Sequence, residues 1–152
     1  MVHYIAFKDP MYGTNIKVFI GEASDVRQFV MDKFGEYLPD EDRTEVLDKD
    51  DGYFGDGNRG MSFEMEIKDG SGRPMNHCIW LDSLELTVDS LCTLFHEMTH
   101  HPIQALDYVG IIMCDMSEEA YAYYTEYVVK QILEYAFNNR MLLPLSIPND
   151  ND

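Results

Sequence analysis

The sequence predicts a single α+β domain in which a small β-sheet packs on two long helices. Three observations lead there. The 152 residues are 45% hydrophobic and 26% charged, the balance of a globular chain large enough to hold one core and too short for several. Met61, Phe63, Met65 and Ile67 alternate with Ser62, Glu64 and Glu66, the period of two that marks a half-buried strand. Past them the apolar spacing lengthens, and Leu91, Leu94, Phe95, Met98, Ala105, Leu106 and Val109 fall on one helical stripe.

From the N-terminus, two β-rich pieces at 4–7 and 16–20 are separated by Asp9-Pro10 and Tyr12-Gly13, whose turn chemistry suits a hairpin or a long loop. A helix follows: Ser24 can cap it, Val26, Phe29, Val30 and Phe34 have helical spacing, and Gly35 stops it. Residues 40–51 hold seven acids and two bases and lead into Gly52, Gly55, Gly57 and Gly60, which reads as a solvated surface loop. Its Asp48, Asp50, Asp51, Asp56 and Asn58 do not follow the ligand order of an EF-hand, so calcium is not expected. After the alternating strand, a turn at 70–74 leads to a second strand at 77–82. The stripe of the first long helix ends at Gly110. A segment at 111–114 precedes Asp115-Met116-Ser117-Glu118, a capping arrangement for a second long helix reaching about Asn139. The domain is expected to cover 1–143, with 144–152 a loose polar tail.

The 28 acidic and 11 basic residues give a net charge of -17, which disfavours nucleic acid and acidic lipid as partners because both repel an anionic surface. No apolar run approaches the roughly 18 residues of a membrane-spanning helix, and no basic region precedes an apolar stretch at the N-terminus. Cys78, Cys92 and Cys114 lack metal-knuckle spacing and read as small buried hydrophobes in a reducing compartment. The expectation is a cytoplasmic protein.

Chemistry is concentrated in His96-Glu97-Met98-Thr99-His100, inside the first long stripe. Histidines four residues apart on a helix share a face about one turn apart, so two ring nitrogens can hold one zinc ion. A glutamate after the first of them can take a proton from a metal-bound water and pass it to a leaving amine. That is the metalloprotease arrangement. Leu94, Phe95 and Met98 are expected on the core side, with His96 and His100 facing a cleft. A tetrahedral catalytic zinc needs a third protein ligand, and Glu118 and Glu119 both open the next helix, from which a side chain can reach back.

Glu119 follows His100 with eighteen residues between them, and here the chain resembles the gluzincin metallopeptidases, in which a glutamate ligand lies on the helix after His-Glu-x-x-His. The stretch 89–132, with its Leu94-Phe95-His96-Glu97-Met98-Thr99-His100, Gly110-Ile111 and Glu119-Ala120-Tyr121-Ala122-Tyr123, is also similar to small phage-encoded zincin-like metallopeptidases. The resemblance covers the C-terminal half well and the N-terminal half in outline. It implies a zincin-like domain in a bacterial or phage-infected cytosol, with His96, His100 and Glu119 as zinc ligands and Glu97 as general base.

Pro102 removes one helical hydrogen bond and is expected to bend the helix beyond the motif. His101 points about 100° from His100 and reads as a surface residue or a donor behind the ligands. Tyr123, one turn after Glu119, could donate to an oxyanion or orient a ligand, or could equally be a core tyrosine. Between Arg73 and Lys130 there is no lysine or arginine, so no guanidinium is expected near the metal to hold a terminal carboxylate. The expected substrate is an internal, basic peptide segment paired with the strand at 78–81. The alternative is a non-catalytic acidic protein, stabilised by zinc, that occupies a basic site on a host or viral partner.

Overall fold

The computed structural model describes residues 1–142; the expected tail at 144–152 lies outside them. Strands β1 (His3–Lys8) and β2 (Asn15–Ile20) form an antiparallel hairpin, paired from His3 opposite Ile20 to Lys8 opposite Asn15. Its turn is held by the buried carboxylate of Asp9, which accepts from the backbone N–H groups of Met11, Tyr12 and Thr14 at 3.0, 2.8 and 2.7 Å. A carboxylate placed there satisfies donors that the tight turn leaves without carbonyl partners.

Helix α1 (Ala23–Phe34) and a single 3₁₀ turn (Gly35–Tyr37) lead to α2 (Asp40–Leu47), whose 8 residues open the stretch expected to be loop; the part from Asp48 up to β3 has neither helix nor strand, as expected. Asp40, Glu41 and Asp42 stand in its first turn, where carboxylates meet the positive end of the helix dipole. Val46 is buried, and the guanidinium of Arg43 donates to the carbonyl of Gly35 at 2.7 Å. Asp40, Glu41, Asp42 and Glu45 of the expected loop therefore belong to a helix anchored through Val46 and Arg43, whereas Asp48, Asp50 and Asp51 follow it and are exposed.

Strands β3 (Gly60–Glu66) and β4 (Met75–Leu81) complete a mixed four-stranded sheet in the order β1-β2-β4-β3. The β2–β4 pair is parallel and the other two are antiparallel. Strand β4 is interior and paired on both edges, so a substrate cannot add to residues 78–81 as the sequence reading expected; the open edge beside it belongs to β3. Residues 76–81 are buried without interruption, as a strand covered on both faces requires.

Both sheet faces are covered. Phe19, Phe63, Met65, Cys78 and Trp80 point toward Val26, Val30 and Phe34 of α1, Val46 of α2 and Phe54. On the opposite face Ile16, Val18, Ile20, Ile79 and Leu81 pack under α3 (Val88–Tyr108) and α4 (Glu118–Asn138), through Leu94, Met98, Ala105, Leu106, Tyr124, Val128 and Ile132. The fold is α+β, and the two long helices form one of two outer layers. Pro102 lies inside α3, which continues past it to Tyr108. Thr87, whose hydroxyl accepts from the N–H of Ser90, caps this helix.

The expected capping arrangement before α4 does not form: the Ser117 hydroxyl donates to the carbonyl of Ile112 at 2.7 Å and accepts from the N–H of Cys114 at 2.9 Å, closing the loop instead of the helix. Cys78 is buried as expected, whereas Cys92 and Cys114 are exposed, because each sits on the solvent side of its segment; all three are free thiols. Among the described residues no helix is long and apolar enough to cross a membrane.

Burial of His77, 1% exposed on β4, sets an acid limit on stability. Its Nδ1 stands 3.2 Å from Glu64 without hydrogen-bond alignment, and the ring meets Tyr108 edge-on. Burial lowers its pKa to about 4, against a smaller opposing pull from Asp9. In the unfolded chain His77 takes up a proton near pH 6.5, and in the fold only near 4. Its contribution is therefore fully present above pH 6.5 and lost as pH falls toward 4, by about 3 kcal/mol across that window. Urea unfolding of His77→Phe should show a shallower loss between pH 6.5 and 4 than the parent; equal slopes would contradict it.

Candidate metal and hydrolytic site

Helix α3 presents the motif residues in three directions. His96 and His100 are exposed, Glu97 is buried at 5% exposure toward β3, and His101 is buried on the side of α4. At about 100° per residue these bearings follow from the helix itself. Phe95, expected in the core, is 60% exposed on α3. It is out of phase with Leu94 and Met98, which reach the sheet.

The Nε2 atoms of His96 and His100 stand 3.3 Å apart, with ring centroids 5.0 Å apart and planes at 70°. Two nitrogens on a tetrahedral zinc at the usual bond length are also separated by about 3.3 Å. The pair is thus spaced as two ligands of one metal are. Glu97 is held from the sheet: the Ser62 hydroxyl lies 3.0 Å from its Oε2 and 3.0 Å from its backbone carbonyl, and can donate to either. Ser62 belongs to the polar alternation of β3 that sequence alone assigns to solvent; α3 lies over that face and makes it an internal partner.

His96 and Glu97 line one open pocket of about 370 Å³, together with Asn58, Arg59, Gly60, Asp89, Cys92 and Thr93. Arg59 is the residue sequence reasoning missed. It precedes β3, far in the chain from the motif, and the fold brings it to the mouth of the pocket, where its side chain is ion-paired with Asp82 at 3.7 Å and Asp89 at 3.6 Å. The expectation that no guanidinium stands near the motif is therefore corrected. A gap without bases along the chain is not a gap in space.

Gly60 allows this close approach. A Cβ there would stand 2.9 Å from Thr93 Cγ2, 2.9 Å from the Trp80 carbonyl oxygen and 3.1 Å from Glu97 Cγ. Gly60→Ala should push β3 from α3 and cost about 1–3 kcal/mol. Thermal unfolding of the variant checks this; an unchanged midpoint would mean that the helix yields freely at Thr93.

Glu118 and Glu119 are exposed in the first turn of α4, and Tyr123 is 59% exposed. The tyrosine that meets α3 is Tyr124, fully buried, its ring stacked on His101 at 5.8 Å and its hydroxyl 3.0 Å from Thr14 Oγ1. Helix α4 thus approaches α3 along the His101 face, about 100° around the helix from His100. Among the described residues no three histidine, cysteine, aspartate or glutamate side chains are gathered so as to hold a metal ion, and Glu119 does not join the histidine pair. His101, expected at the surface or behind the ligands, is instead a core residue, and burial lowers its pKa to about 3. Comparison with protein-family models, with curated proteins and with solved structures finds no match to this chain.

Proposed function

We propose that this chain is a zincin-like, zinc-dependent peptide hydrolase acting in a reducing cytosol, with His96 and His100 as metal ligands and Glu97 as general base. The observation that supports the reading most is the 3.3 Å separation of the two Nε2 atoms, next in the helix to a buried carboxylate that lines the same pocket as His96. Zinc held by His96 and His100 would supply Lewis acidity at the pocket near neutral pH. Glu97 would take a proton from an attacking water and return it to the departing amine, so its carboxylate must be fixed in direction and free of a cationic partner. Ser62 fixes it, and a hydroxyl donor leaves the charge in place. Substrate backbone has the open edge of β3 to lie along.

A second reading rests on charge. The carboxylates of α4 stand apart from the histidine pair, leaving two protein donors where a catalytic zinc has three and a structural zinc four. A chain of net charge -17 can occupy a basic partner site without turning over a substrate.

Zinc titration against a chromophoric chelator, combined with a peptide library, separates the two. The hydrolase reading expects one zinc per chain in the parent, loss of it in His96→Ala and His100→Ala, and zinc-dependent cleavage. A parent that binds zinc and cleaves nothing supports the binding protein. In the same titration Glu118→Ala and Glu119→Ala should lower affinity equally little if water completes the metal shell. A loss confined to Glu119→Ala returns that carboxylate to the metal, and requires the start of α4 to move.

A further inference from the structure

We infer that Arg59 makes the pocket beside His96 and Glu97 a carboxylate-binding subsite, so that the favoured peptide places a carboxylate group next to the bond that is cut. The inference rests on the hydrolase reading for its peptide and on Arg59 for its specificity.

Three features carry it. The guanidinium is half-exposed at the pocket mouth, and among the described residues it donates no hydrogen bond. Asp82 and Asp89 hold it at 3.7 and 3.6 Å, close enough to orient the charge and too far to use its donors. Asp89 is 81% exposed, so its pull is weakened by solvent and yields readily to a better-aligned partner. A planar fork with unused N–H groups in a concave pocket is the arrangement that takes a carboxylate by two parallel hydrogen bonds.

The same surroundings select among anions. With Asp82, Asp89 and Glu97 nearby, a doubly charged phosphate meets more repulsion than a single carboxylate does, and lacks its match to the fork. The acidic outer surface still favours a peptide with basic residues elsewhere; the requirement for an anion is local to the pocket. The carboxylate has two sources, the C-terminus of a peptide or an aspartate or glutamate side chain within one. The first makes the chain a carboxypeptidase and the second an endopeptidase with an acidic preference.

Three probes distinguish them: an N-acetylated Ala-Ala-Phe-Ala-Ala peptide with a free C-terminal carboxylate, its C-terminal amide, and that amide with glutamate in place of the fourth residue. Binding is measured by NMR titration of the zinc-supplied parent, Arg59→Gln and Arg59→Lys. At least one carboxylate peptide should bind the parent about 10- to 100-fold more tightly than the neutral amide. That preference should vanish in Arg59→Gln and survive in part in Arg59→Lys, which keeps the charge and loses the fork. Preference for the C-terminal carboxylate alone assigns the first source, and for glutamate alone the second. Unchanged affinity for the neutral amide in Arg59→Gln establishes that the variant keeps its fold. Equal binding of all three probes by the parent, a preference that persists in Arg59→Gln, or a loss that extends to the neutral amide overturns the inference. Selective carboxylate binding without cleavage by the parent sinks the hydrolase reading alone; cleavage without carboxylate selectivity sinks only the role of Arg59.

Discussion

If the proposed hydrolase reading holds, replacing Glu97 with glutamine is expected to leave zinc bound and to lower peptide cleavage about 10²- to 10⁴-fold, the range that a positioned general base supplies. The amide keeps the shape of the side chain, and its oxygen still accepts the Ser62 hydroxyl that the carboxylate accepts at 3.0 Å. It cannot accept the proton of an attacking water. Because the proposed metal donors are His96 and His100, zinc stoichiometry by chelator titration should match the parent. A Glu97→Gln variant that cleaves at the parent rate would remove Glu97 from the chemistry. One that loses zinc would make Glu97 a ligand and not a base. Where the parent has no cleavage to lose and the variant matches it in partner binding, the acidic binding protein becomes the better account.

The second large effect is on stability. Trp80→Ala is expected to cost about 3–5 kcal/mol, as loss of a large buried aromatic does, from a total that for a domain of this size is about 5–15 kcal/mol. Trp80 is fully buried on the interior strand, meets Phe54 edge-on at 5.8 Å and donates from Nε1 to the Gly21 carbonyl at 2.9 Å. Truncation opens a cavity between β4 and the segment carrying Phe54, and deprives the Gly21 carbonyl of that donor. Circular dichroism should show the melting temperature falling by about 10 °C or more; it is the suitable probe because the chain has a single tryptophan. Trp80→Phe, which keeps most of the volume, should fall less. A drop of only one or two degrees in Trp80→Ala would mean that the Phe54 segment closes over the space.

The reach of the sequence differed between elements for physical reasons. The alternation of Met61, Phe63 and Met65 with Ser62 and Glu64 identified β3 correctly, because side chains on a strand alternate whatever covers them. It could not tell that α3 covers the polar side at Ser62. Asp40, Glu41 and Asp42 open α2, while Asp48, Asp50 and Asp51 lie beyond it and are exposed; their charge alone does not tell the two apart, since negative charge favours both water and a helix start. Phe95 satisfied the helical spacing and still faces solvent, because the stripe drawn through Leu91, Leu94 and Val109 was broader than the face the sheet can reach.

The histidine pair is a local property. Four residues on an α-helix bring His96 and His100 together in any fold that keeps the helix, so sequence alone determined that pairing, the placement of Glu97 beside it and the two long helices, while it left a hairpin or a long loop open between β1 and β2. Only tertiary structure decided which way α4 docks, that Glu119 and Tyr123 stand away from the pair, that β4 is interior, and that Arg59, thirty-seven positions before His96, stands at the mouth of the same pocket. Helical and strand periodicities carry information over a few residues, whereas the third ligand and the neighbouring cation depend on how whole elements pack. That packing is set by the summed burial of both sheet faces, which no single spacing along the chain records.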